Sequence, residues 1–136
     1  AMLTFLTVGS SFSAAQRLYR ADWSLQRNQE VFCHCANPNG HGHNYELEVT
    51  VGGEIAPETG MILDMKELKA IIQREIVDRV DHRSLNADVP FLDGRIPTAE
   101  VLAVAFWEIL EDKIPSGELH EVRVHETGRN AAFVRR

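Results

Sequence analysis

The sequence predicts an α+β domain: a four-stranded antiparallel sheet carrying two helices on one face, in the order β-β-α-α-β-β. Three observations predict it. Tyr45, Leu47, Val49 and Val51 alternate with Glu46, Glu48 and Thr50, the period of a half-buried strand. Two stretches repeat apolar residues at helical spacing behind a capping residue, Leu68, Ile72, Ile76 and Val80 after Asp64, and Leu102, Ala105, Phe106, Ile109 and Leu110 after Thr98. The chain then closes on two β-rich runs joined by Thr127-Gly128-Arg129.

Met2 to Ala15 mixes polarity but is rich in β-formers, which predicts a first strand bulged near Gly9. Tyr19 to Phe32 has no clean period and is expected to be a long loop with at most a helical turn. The second strand covers Asn44 to Gly52 and ends in Gly52-Gly53, with Pro57-Glu58-Thr59-Gly60 as further turn chemistry. Asp64 with Glu67 three residues on is a capping-box pattern, so the first helix is expected over Met65 to Arg79. A loop from Val80 to Pro97 follows, and then a helix that Pro115-Ser116-Gly117 stops. Leu119 to Glu126 and Asn130 to Val134 are the last strands.

With 136 residues, 44% of them hydrophobic, the chain can fill one core and is too short for two ordinary domains, so residues 1–136 are expected to form a single domain. The net charge of −6 argues against a nucleic-acid surface, which needs clustered Lys and Arg, and equally against a membrane surface. No run is long and apolar enough to span a bilayer, and no signal-peptide pattern opens the chain. Cys33 and Cys35, one residue apart, build no disulfide framework, so a reducing cytoplasm is the expected compartment.

Chemistry concentrates in Cys33-His34-Cys35-Ala36-Asn37-Pro38-Asn39-Gly40-His41-Gly42-His43-Asn44-Tyr45, where the turn-forming run Asn37-Pro38-Asn39-Gly40 delivers thiols and imidazoles together. His41 and His43, at the start of a strand, point to one side and can share an ion, although such a pair fits a polar loop equally well. Cys35 is either a base or nucleophile activated by a cationic neighbourhood, or an inert buried thiol; Cys33 reads as structural. Asp81-His82 has the composition of a proton-transfer pair, yet adjacent strand residues point apart, so a direct bond between them is not implied. Glu126, at a strand end, suits a two-point contact with an amidine-like ring edge or simple solvation.

Read jointly, the chain resembles the 6-pyruvoyltetrahydropterin synthase family, which includes the 6-carboxytetrahydropterin synthases of queuosine biosynthesis. Six ordered motifs carry the resemblance: Phe12-Ser13-Ala14-Ala15, Cys35 through His41-Gly42-His43-Asn44-Tyr45, Gly60-Met61-Ile62-Leu63-Asp64, Asp81-His82, Pro97-Thr98-Ala99-Glu100, and His125-Glu126-Thr127. It implies a tunnelling fold, with three subunits closing a barrel and two trimers stacking into a homohexamer. It also implies zinc on His41 and His43, Cys35 as the base, Asp81 and His82 completing the proton-transfer set, and Glu126 anchoring a pterin ring with Thr98 and Thr127 nearby. The implied reaction converts 7,8-dihydroneopterin triphosphate to 6-pyruvoyltetrahydropterin or a 6-carboxy product with loss of triphosphate. The step from Cys35 to His41 is more like the pyruvoyl branch. Side-chain cleavage as an aldolase and pterin binding without metal chemistry are the alternatives. One position departs: where the family's early motif has its third histidine ligand, this chain has Gln16, a poor zinc donor beside imidazole, which implies weakened zinc or a replacement ligand.

Overall fold

The computed structural model describes residues 2–136. Five strands form one sheet in the order β3-β1-β2-β4-β5, with β1 at Thr4–Gln16, β2 at His41–Gly53, β3 at Arg83–Ser84, β4 at Glu118–His125 and β5 at Ala131–Arg135. Four of these are the expected antiparallel strands, although β1 pairs with β2 in unbroken register past Gly9, where a bulge was expected. The expected count was one short: β3 is only two residues long and pairs parallel to β1, too brief to leave any period in the sequence.

The helices are α1 at Leu25–Phe32, α2 at Met65–Ile72, α3 at Asp78–Val80 and α4 at Ala99–Leu110. α1 corrects the reading of residues 19–32 as a loop. The Ser24 side chain accepts a hydrogen bond from Arg27 N at its start, and the buried Asn28 amide donates to the carbonyls of Arg20, Trp23 and Ser24. Buried polar bonds rather than an apolar stripe hold this helix, which is why periodicity missed it. A π-helical turn at Gln73–Val77 joins α2 to α3, so the predicted single helix over Met65 to Arg79 runs through with one widened turn.

Asp64 caps α2 by accepting from Lys66 N at 2.9 Å, and Thr98 caps α4 by accepting from Val101 N at 3.2 Å. Glu67 does not complete the capping box with a return bond. Leu68, Ile72, Ile76 and Val80 are all buried, as are Leu102, Ala105, Phe106 and Leu110, while Ile109 is half-buried. They pack on Val8, Phe12, Tyr45, Leu47, Val49, Val51, Val122 and Val124 from one face of the sheet, each fully buried Val, Leu, Ile or Phe contributing about 1.5–3 kcal/mol.

Register decides where the site lies. β1 and β2 pair so that Gln16 lies opposite His41 and Ala14 opposite His43, and β2 and β4 pair with Glu46 opposite His125. Successive odd residues of β2, from His41 and His43 through Tyr45 to Val51, share the core-facing side. The apolar face of the sheet therefore runs, at one end, into a polar corner.

Candidate active site

Four chain segments meet at that corner. β1 ends in Gln16, only 2% exposed; β2 begins with His41 and His43; β4 runs out into Glu126; and a 3₁₀ turn at Cys33–Ala36 carries Cys35. That turn is stapled to the end of β1 by Leu18 N donating to the Cys35 carbonyl at 2.7 Å and Arg17 Nε donating to the Ala36 carbonyl at 2.9 Å. Gly40 makes the entry to β2 possible. Its φ is +72°, and a Cβ there would lie 2.9 Å from the Gln16 carbonyl oxygen.

The Gln16 amide is the hub. Tyr45 Oη, fully buried, donates to Gln16 Oε1 at 2.7 Å; Gln16 Nε2 donates to Glu126 Oε1 at 2.9 Å and lies 3.2 Å from His41 Nε2. The carboxylate settles which way the amide points, because it only accepts and so requires the NH2 group. His43 Nε2 lies 2.9 Å from Glu126 Oε1 without hydrogen-bonding alignment; this atom and His41 Nδ1 are buried without a hydrogen-bond partner. Buried orphan imidazole nitrogens are uncommon and need an explanation.

His41, His43 and Glu126 can each present a ligand atom within 4.8 Å of the others. The two imidazole rings stand nearly perpendicular, 87° apart, with centroids at 4.9 Å. Burial, followed by the neighbouring His43, holds the His41 pKa below its ordinary value and favours the neutral imidazole that binds metals. Orphan nitrogens, neutral imidazole and an adjacent carboxylate fit a divalent cation such as zinc, for which two histidines and one carboxylate are a recognised ligand set.

Cys35 is half-buried, and its thiol pKa is pushed up by burial first and then by the negative charges of Glu126 and Cys33. Activation by a cationic neighbourhood is not built from protein groups alone. Glu126 also raises the Tyr45 hydroxyl after burial does, so Cys35, Tyr45 and Glu126 share one electrostatic environment. Cys33 is exposed with a φ of +53°, and His34 is exposed and stands outside the metal-capable group.

Asp81 and His82 do come into contact. His82 adopts a φ of +58°, which turns its ring back so that Nδ1 lies 2.9 Å from Asp81 Oδ2, and its backbone N donates to the Ser13 carbonyl. Asp81 Oδ1 accepts from Ser13 N at 2.9 Å; that bond first, and His82 second, hold its carboxyl below the usual carboxylate range. His82 lines a cleft of about 470 Å³ together with Ser13, His43 and Asn44, so it shares an opening with one histidine of the cluster. Thr98 and Thr127 are occupied locally: the first caps α4, and the second accepts from the backbone N of Arg129 and Asn130. Glu126 faces a further cleft of about 440 Å³, lined also by Ala99, Glu100, Asn130 and Phe133.

Tyr45 is the residue of this corner to which the sequence motifs assign no role. The signal was present in the period of β2, which puts Tyr45 on the same side as His41 and His43.

Residues 5–136 match the family model described as 6-pyruvoyl tetrahydropterin synthase. The human 6-pyruvoyl tetrahydrobiopterin synthase is 44% identical over 120 residues, covering 88% of this chain and 83% of that protein; the one from Poecilia reticulata is 41% identical over 131 residues, covering 96% and 89%. A 6-carboxy-5,6,7,8-tetrahydropterin synthase from Aquifex aeolicus is 31% identical over 105 residues, covering 63% of this chain and 64% of its own. The solved structure of the Caenorhabditis elegans 6-pyruvoyl tetrahydropterin synthase superposes with a TM-score of 0.92 at 36% identity, covering 98% of this chain and 96% of that one. The chain therefore belongs to the 6-pyruvoyl tetrahydropterin synthase family.

Proposed function

We propose that the chain is a pterin synthase that converts 7,8-dihydroneopterin triphosphate to 6-pyruvoyltetrahydropterin, eliminating triphosphate. The observation that carries this reading is the convergence of His41, His43, Glu126 and Cys35 on one corner of the sheet, in a chain 44% identical to a 6-pyruvoyl tetrahydrobiopterin synthase.

His41, His43 and Glu126 would hold a zinc ion, which when bound polarises the side-chain hydroxyls of the substrate and places a positive charge beside Cys35. Cys35 Sγ, as thiolate, takes a proton from the side-chain carbon next to the ring and makes it available for return elsewhere on the tautomerising substrate. His82, oriented by Asp81, exchanges protons at the side-chain oxygens from the cleft it shares with His43. Glu126 accepts hydrogen bonds from the ring edge at the wall of its own cleft, with Thr127 next to it in the chain and Thr98 next to Ala99 of the lining. Phe5 and Phe133, exposed at 53% and 47%, together with open edges at β3 and β5, support assembly of several subunits, here proposed as a homohexamer.

The Gln16 amide favours a second reading, a pterin-binding protein without metal chemistry, because its Nε2 already donates to Glu126 Oε1 without an ion. Incubation of the full chain with dihydroneopterin triphosphate and zinc, with products identified by mass, separates the two. A 6-pyruvoyl product and released triphosphate support the synthase. Unchanged substrate, not rescued by zinc or by Gln16→His, refutes it, and a side-chain-cleaved product points to the aldolase or the 6-carboxy branch.

A further inference from the structure

We infer that the third metal ligand of this chain is the Glu126 carboxylate, through Oε1, and that Gln16 is a positioning residue that aims this oxygen at the histidine pair. The inference deepens the proposed synthase reading and rests on its divalent cation being held at this corner.

Gln16 cannot serve as a ligand in the orientation it holds. Its Oε1 accepts from Tyr45 Oη inside the core, and its Nε2 faces His41 and Glu126. An amide NH2 has its lone pair delocalised and its protons outward, so it donates hydrogen bonds and does not bind a cation. Turning the amide over would set its oxygen against the Glu126 carboxylate and remove the only hydrogen-bond donor that this oxygen has among the described residues. Tyr45 and Glu126 therefore lock Gln16 from both ends, and a residue 2% exposed has no room to reorient freely.

Glu126 has the opposite character. Its Oε1 lies 2.9 Å from both Gln16 Nε2 and the orphaned His43 Nε2, which puts the oxygen where it can share an ion with the histidines. Its Oε2 makes no hydrogen bond among the described residues, and the residue also borders the 440 Å³ cleft. One carboxylate can then divide its work, with Oε1 on the metal and Oε2 left for a ring N–H. Exchanging a neutral third ligand for an anionic one also lowers the net charge of the loaded site by one, so zinc held here polarises substrate less than a three-histidine site would.

The test is cobalt(II) and zinc binding to the full, metal-stripped chain, with zinc affinity read by chelator competition and the cobalt site by its visible absorption band. The wild type is expected to bind one metal per chain. Glu126→Gln is expected to lose at least a hundredfold in affinity and to lose or shift the cobalt band. Gln16→Ala is expected to keep the band, with affinity reduced about 10–100-fold, as befits a group that only orients a ligand. Melting curves by circular dichroism check folding. If Glu126→Gln does not fold, Gln16→Ala still decides, since loss of the cobalt band in that variant overturns the inference. So does a wild type without metal, or an affinity indifferent to Glu126→Gln. A chain that forms the pyruvoyl product while its metal ignores Glu126 refutes the ligand assignment alone; metal bound through Glu126 without product refutes the synthase reading alone.

Discussion

Tyr45→Phe removes a single oxygen from a fully buried ring that otherwise keeps its shape and its stacking against Phe12, where the centroids lie 4.8 Å apart. The lost hydroxyl donates the only hydrogen bond that Gln16 Oε1 receives among the described residues, at 2.7 Å. A buried acceptor left without a donor costs about 1–3 kcal/mol. At roughly 3–5 °C per kcal/mol for a chain of this length, a cost near 2 kcal/mol lowers the melting midpoint by about 6–10 °C. The measurement is thermal and urea unfolding of metal-stripped protein at fixed chain concentration, because both metal and assembly add stability through mass action. Gln16→Leu and the double variant complete a cycle. Each single change strands a partner, whereas the double change replaces both ends of the bond with apolar groups, so the double variant should exceed the additive expectation by about 1–2 kcal/mol. A Tyr45→Phe variant within about 0.3 kcal/mol of wild type, or strict additivity, would refute the reasoning that this bond locks the amide.

Glu121 sits between Arg123 and Arg135; burial works to raise its carboxyl pKa, and hydrogen bonds from the two arginines outweigh it and lower it. A carboxyl held below its unfolded value stabilises the fold above about pH 4.5, and that stability is lost as the pH falls through the folded value. Glu121→Gln should therefore flatten the acid limb of an unfolding-versus-pH profile by about 1 kcal/mol, a modest figure because the guanidiniums are 27% and 52% exposed. Gly40→Ala should cost about 1–2 kcal/mol for its positive φ, with more from the 2.9 Å approach to the Gln16 carbonyl, and should weaken zinc binding; a melt and a chelator titration check both. Cys35→Ala should lower turnover of dihydroneopterin triphosphate by about 10²–10⁴-fold and leave zinc content unchanged, as measured by product release beside metal analysis. Gln16→His, which supplies an imidazole where the amide now stands, should tighten zinc in the same competition assay.

Elements whose residues announce themselves locally are legible in the sequence. β2 alternates, α2 and α4 carry a capping residue ahead of an apolar stripe, and the final hairpin has turn residues between two β-rich runs. α1 is not legible because its stabilising contacts are the Asn28 amide bonds to non-periodic carbonyls, and β3 because two residues carry no period. Asp81 and His82 are legible as a composition and not as a bond. The contact comes with a left-handed φ at His82, whose backbone N bonds the Ser13 carbonyl on a distant strand.

By itself, the sequence determined the fold class, the placement of His41 and His43 on one side of a strand, the family, and the anomaly at Gln16, because each of these is a matter of residue type and spacing along the chain. The tertiary structure decided what that anomaly does. Gln16, Tyr45 and Glu126 stand as far as 110 positions apart, and only sheet register brings their polar atoms within 3 Å. Once there, the direction of a buried amide follows from which neighbours can donate and which can only accept. That choice turns the Gln16 oxygen into the core, toward Tyr45, and its NH2 group toward His41 and Glu126.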